Sequence, residues 1–191
     1  MLFSIVVLMA CFSMVLQAQD KAKAKSEKSI TWYGVDFTLA KFTLVTEEPS
    51  VIVNQYLKAI NTLIQTEQEK FDLKKWFDKS EVVYELDQVN EKNAKINPDG
   101  LVIGDEHKIT PDDVKRVLAG YKTQGKPGLG LIMVAENLSK VKQIGSFYVC
   151  FFDQSSKEII DLERFEAKAA GFGFRNYWAG SVFNIMKTWL K

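Results

Sequence analysis

The sequence predicts an α/β (α+β) two-layer sandwich: one mixed sheet of about five strands with helices packed on it, in the order β-α-β-α-β-β-β-α. Three observations carry that expectation. Apolar and polar residues alternate in ITWYGVDFTLAKFTLV, 30–45, with the period of a half-buried strand. Apolar residues recur at helical spacing behind Pro49, behind Pro111 and behind the glycines Gly171 and Gly173. Between the last two helices lie three consecutive strand-like runs joined by short connections, which read as an antiparallel meander.

Composition bounds the class. Of 191 residues 47% are hydrophobic and 26% charged, with a net charge of +1, the balance of a single globular domain. No basic excess is available to neutralise phosphates, so nucleic acid is not the expected partner. MLFSIVVLMACFSMVL carries no charge and is followed by the almost wholly polar QAQDKAKAKSEKS. An apolar run of about 15 residues is short for a membrane span and suits a signal peptide. The small Ala18 ends the run, so residues 1–18 read as a signal peptide cleaved before Gln19, leaving no transmembrane span. No Lys or Arg precedes Lys21, a departure from the usual positive start. Leu8-Met9-Ala10-Cys11 also resembles a lipoprotein box, with Cys11 as the lipidated residue. The expected location is therefore periplasmic or secreted, or alternatively lipid-anchored in the envelope through Cys11. Residues 19–29 read as a flexible tether and 30–191 as one domain. Without Cys11, Cys150 is the one thiol left, and in the apolar run SFYVCFF it reads as a buried structural cysteine.

The elements follow in order. In the first strand Tyr33, Val35, Phe37 and Leu39 point one way and Asp36 and Thr38 the other. Glu47, Glu48 and Pro49 open a helix whose apolar stripe runs through Ile52, Tyr56, Ala59, Ile60, Leu63 and Ile64. DLKKWF continues it as a further turn or short second helix, and EVVYELDQV, 81–89, returns to strand period. Thr110-Pro111-Asp112-Asp113 supplies a hydroxyl cap, a proline at the first helical position and a first-turn carboxylate for the next helix. The nearly continuous apolar run LGLIMVAE fits a central strand covered on both faces. Strands 129–135, 146–153 and 157–169 complete the meander. The last helix buries Phe174, Trp178, Val182, Phe183, Met186 and Trp189.

Several stretches imitate functional motifs. GFGFRNYW, 171–178, lacks the Lys and Ser or Thr of a P-loop, and Asn176 stands where a dinucleotide fingerprint has its third glycine. Gly171 and Gly173 read first as turn residues; anion capture by Gly171, Gly173, Arg175 and Asn176 at the helix start is the alternative. In KINPDGLVIGDE, Asn97, Asp99, Gly100, Val102 and Glu106 match calcium-loop positions, but Lys95 takes the place of the first carboxylate, so NPDG reads as a turn. His107 is the one histidine and has no serine in a nucleophile elbow to serve, which leaves no catalytic or metal residue to name. Asp36, Asp87, Asp105, Asp112 and Asp153 are scattered over strands and turns, and no cofactor is implied. Phe151 and Phe152 are neighbours in a strand and face opposite sides, so the strand is either covered twice or displays an aromatic as a partner surface.

The stretch GSFYVCFFDQSSKEIIDLERFEAKAAGFGFRNYWAGSVFNIMKTWLK, with the early ITWYGVDFTLAKF, resembles a group of small secreted proteins of Gram-negative bacteria to which no activity is assigned. The element order is also similar to the anticodon-binding-like α/β sandwich of the N-terminal domain of the Tol-system periplasmic protein and of curli-export lipoproteins. That resemblance implies a domain making protein contacts in the cell envelope, with no catalytic residue to carry over. The expected function is a non-enzymatic envelope binding or adaptor protein whose partner is another envelope protein. An envelope hydrolase with carboxylate acid and base groups, or a soluble small-ligand carrier, is the alternative.

Overall fold

The computed structural model describes residues 22, 24–123 and 125–189; the expected signal peptide and Cys11 lie outside the described residues. Among the described residues seven strands form one mixed, mostly parallel sheet: β1 (Ser29–Asp36), β2 (Lys41–Thr43), β3 (Glu81–Tyr84), β4 (Val102–Ile103), β5 (Leu129–Ser139), β6 (Ile144–Asp153) and β7 (Ile159–Lys168). Helix α1 runs from Pro49–Val51 through a π turn, Ile52–Tyr56, into Leu57–Thr66. It is followed by α2 (Leu73–Trp76), α3 (Asp87–Ala94), α4 (Pro111–Ala119) and α5 (Phe174–Trp189).

Strand β5 organises the sheet. One of its edges pairs antiparallel with β6, and β6 with β7, the expected meander. Its other edge takes β1 against Leu129–Val134 and then β2 against Asn137–Ser139, both parallel. Beside these, β3 runs parallel to β1 and β4 to β2. Seven strands thus occupy five ranks, because the long first strand expected from the sequence is broken. Gly34 takes φ +91 within a register shift, and β1 stops at Asp36. Two buried amides replace the sheet partners at the break. Val35 N–H donates to Asn61 Oδ1 at 2.7 Å and Phe37 N–H to Asn93 Oδ1 at 2.8 Å, while both side-chain amides donate to the Val35 carbonyl at 3.0 Å. The alternation of ITWYGVDFTLAKF runs through this break because side chains satisfy what a neighbouring strand otherwise would. Asn93 belongs to α3, and EVVYELDQV is strand only to Tyr84 before α3 begins at Asp87.

Helices cover both faces of the sheet, so the expected two layers become three where α4 lies. Phe151 packs against Phe77 and Trp189 on the face of α2 and α5, with ring centroids 5.8 and 4.9 Å away. Phe152 meets Tyr33 at 5.4 Å on the opposite face, and Tyr33 meets Tyr121, just beyond α4, at 6.1 Å. Thr110 caps α4 with Pro111 at its start, as expected, and the Asp113 side chain returns the bond to make a capping box. Buried Asp36 anchors this layer: Tyr121 Oη donates to its Oδ2 at 2.6 Å, and Thr38 N–H and Oγ1 donate to Oδ1. Burial, then the Asp36 carboxylate, pushes the Tyr121 phenol upward.

The end of the expected tether is part of the domain. Ala24 is 1% exposed, and buried Lys79 donates to the Ala24 and Glu27 carbonyls at 2.6 and 2.7 Å. Burial, then Lys28, lowers the Lys79 ammonium. Small and charged residues read as a linker here because the partner that orders them is 52 positions away in sequence.

Candidate binding cleft at the glycine loop

Three connections converge at the end of the sheet where β2 and β5 finish. Lys140 N–H donates to the Thr43 carbonyl at 3.0 Å, and Ala169 N–H to the Gln143 carbonyl at 2.8 Å. These bonds tie the exit of β2 and the exit of β7 to the β5–β6 hairpin. The β7–α5 loop then folds back. Gly171 has φ +131 and Gly173 φ +78, and a Cβ on Gly171 would stand 2.7 Å from the Asn176 carbonyl oxygen. The two glycines therefore turn the chain into α5, and Ala170 N–H donates to the Tyr177 carbonyl at 3.1 Å to close the turn. Arg175 Nε donates to Asn176 Oδ1 at 3.2 Å, an exposed contact between neighbours.

The turn borders a cleft of about 310 Å³ between the β2 exit (Val45, Glu47), Lys140 of the hairpin, and the loop and first turns of α5. Gly171 and Gly173 line it together with four aromatics, Phe172, Phe174, Tyr177 and Trp178, whereas Arg175 and Asn176 do not. Its floor is rigid. Phe174 lies between Tyr56 and Phe42 in tilted contacts, with ring centroids 4.7 and 5.5 Å away, and Trp178 stands edge-on to Phe42 and Tyr177. Lys140 Nζ sits 4.0 Å above the Tyr177 ring, a cation–π contact that fixes a positive charge at the rim. Phe172 is 93% exposed, and Val141 and Leu44, next in sequence to Lys140 and Val45, are 68% and 53% exposed. Phe172 is thus a large aromatic left in water beside an aromatic-lined cleft.

The other expected site residues fall elsewhere. Phe151 is 1% and Phe152 0% exposed, so neither displays a partner surface; the strand is covered twice, because α4 closes the face that a two-layer sandwich leaves open. Cys150 is buried, and burial, then Asp161, pushes its thiol up to about 12, where it stays protonated. NPDG forms a turn in which Asp99 N–H donates to Asn97 Oδ1 at 3.0 Å, while Lys95 pairs with Glu91 at 2.5 Å. Asp153 is held down to about 2 by the Ser155 hydroxyl and the Ser156 amide, and there it shapes the β6–β7 turn. Among the described residues no cluster of three or more metal-ligating side chains occurs, and no helix is long and apolar enough to cross a membrane. Sequence reasoning pointed at the glycine loop for its glycines and missed Phe172, Tyr177 and Lys140 as cleft residues. Their signal, an aromatic between two glycines in a loop, was present in GFGF.

The chain matches no family model, no curated protein and no solved structure.

Proposed function

We propose that this chain is a non-enzymatic binding or adaptor protein of the cell envelope, and that the glycine-loop cleft is where it receives another envelope protein. The observation that carries this reading is Phe172, 93% exposed at the rim of a cleft already lined by Phe174, Tyr177 and Trp178. A large aromatic exposed next to an aromatic-lined cleft supports a surface role, because it extends the apolar area a partner can bury. The occupant that fits is a partner segment with an apolar anchor for the aromatic floor and a carboxylate within reach of Lys140. Placement in the envelope rests on the uncharged N-terminal run with Ala18 and on the resemblance to small secreted proteins.

The test is capture of envelope proteins on the chain, followed by binding of the purified partner to the parent and to Phe172→Ser. Exposed Phe172 contributes nothing to the core, so the variant keeps the parent melting temperature. A loss of affinity of about tenfold or more supports the cleft as the docking site. A partner that binds both chains equally removes the cleft from the reading.

A further inference from the structure

The long edge strand β7 has ten residues and pairs only with β6 among the described strands. Its backbone bonding can be assigned from the ladder. The Gln143–Ala169 bond and the register from Ile144↔Lys168 to Val149↔Glu163 make Ala167, Phe165 and Glu163 the residues that exchange bonds with β6. The N–H and C=O groups of Leu162, Arg164, Glu166 and Lys168 therefore point to the open edge. Asn184 Nδ2 already donates to the Lys168 carbonyl at 2.9 Å, which leaves Arg164 and Glu166 as the exposed centre of that edge.

From the charge pattern along this edge we propose that β7 pairs antiparallel with β7 of a second copy of this chain, about a two-fold axis through Phe165. Continuing a sheet across such an axis keeps the two faces distinct, so residues that meet must lie on the same face. Few registers satisfy this: one centred on Ala167 pairs Glu166 with Lys168 of the second copy but draws on the Lys168 carbonyl that already accepts from Asn184, and charge separates the others. Centred on Arg164, the pairing sets two guanidinium groups against each other; centred on Glu163 or Glu166, it sets two carboxylates together. Centred on Phe165, it places Arg164 opposite Glu166 of the second copy, twice, in the pairs whose backbone groups are free to bond. Phe165 then faces its own counterpart on the helix face, beside Trp189, whose ring centroid is 6.0 Å away within each copy.

The same side chains explain why this edge is not generally adhesive. Alternating charges on an edge strand repel most incoming strands, and a register that matches each charge with its opposite restores one partner. Arg164 is already ordered by its own chain: its Nε donates inward, across β6, to Glu136 at 2.8 Å, and its Nη2 donates to Glu166 beside it on the edge strand at 2.8 Å. Four backbone hydrogen bonds, two ion pairs and one aromatic pair make a small interface, and association in roughly the micromolar range is expected. This surface is separate from the glycine-loop cleft and does not depend on the reading of that cleft.

Sedimentation equilibrium of the full chain, at concentrations spanning the micromolar range, tests the proposal. The expected result is a reversible monomer–dimer equilibrium. Glu166→Lys, which sets Lys against Arg164 across the axis, weakens it at least tenfold. Glu166→Pro removes one edge-facing N–H without touching the β6 ladder and weakens it likewise. Melting curves at dilute concentration confirm that at least one variant keeps the parent fold. A chain that stays monomeric at about 100 µM, or a dimer that a folded Glu166 variant leaves intact, overturns the proposal.

Discussion

Glu136 and Arg164 form an ion pair in which the carboxylate side chain is 1% exposed and the guanidinium side chain 33%. Arg164 donates to Glu136 Oε2 through Nε at 2.8 Å and Nη2 at 2.5 Å, while Glu136 Oε1 accepts the Ile109 N–H at 3.0 Å. Glu136 sits at the register shift of β5, so the bulge aims its side chain at both the β7 edge and the entry to α4. One carboxylate thereby joins the meander to the layer that covers the second face.

Removing one partner of a buried pair leaves an uncompensated charge, a loss of typically 3–5 kcal/mol for full burial. Arg164 is one-third exposed, and water covers part of that loss. Arg164→Met is expected to destabilise the chain by about 2–3 kcal/mol at neutral pH, read from urea unfolding at concentrations where it is monomeric. Glu136→Gln keeps an acceptor for Ile109 and is expected to cost less. Equal stability of Arg164→Met and the parent would show that the pair does not join the two layers.

Glycine substitutions separate close packing from turn geometry. A Cβ on Gly180 would lie 1.9 Å from the Ala170 carbonyl oxygen, a backbone atom held by the β7–α5 turn. Gly130 lies under the Phe152 ring, whose nearest atom would be 2.3 Å from a Cβ, and that ring is 0% exposed and has nowhere to swing. Each Gly→Ala is expected to cost roughly 3 kcal/mol through overpacking. Gly104 has nothing within 4 Å and no positive φ, so Gly104→Ala is expected to change stability by about 0.5 kcal/mol or less. Thermal unfolding of the three variants checks the order, and a Gly180→Ala protein as stable as Gly104→Ala would refute the close approach of α5 to the turn.

The same residues show how far the sequence is legible. The meander, α4 with its Thr110 cap and α5 could all be read because their signals are local: period, cap and turn lie within a few residues of one another. The break in the first strand could not, since Asn61 and Asn93 complete it from helices 26 and 58 positions away. The double covering of Phe151 and Phe152 depended on where α4 docks, a tertiary fact that no periodicity encodes. Gly180 reads as an unremarkable helix glycine until Ala170 is placed against it. At the cleft, the sequence located the loop but not its chemistry, because Lys140 and Val45 reach it through strand pairing.

Alkaline pH is expected to unfold the chain for a reason visible in two buried acids. Burial, then Glu85, raises the Tyr33 phenol from 10.0 to about 12, and burial, then Asp161, raises the Cys150 thiol from 9.0 to about 12. For an acid whose folded pKa lies above its unfolded one, the stabilisation is fully present below the unfolded pKa and is lost as pH rises through the folded pKa. Stability is therefore expected to hold up to about pH 9 and to fall steadily between pH 9 and 12. Tyr121, raised by burial and by Asp36, adds to the fall at its upper end. Lys79 acts in the opposite sense, because its lowered pKa makes the folded chain shed that proton first. Tyr33→Phe removes one titrating group and strands Gln154, which accepts the phenol hydrogen bond at 2.8 Å. The variant is expected to be less stable at neutral pH but to lose stability less steeply above pH 10. Denaturant titrations at about pH 8, 10 and 11 measure both slopes. Equal slopes in parent and variant would assign the alkaline transition to groups other than Tyr33.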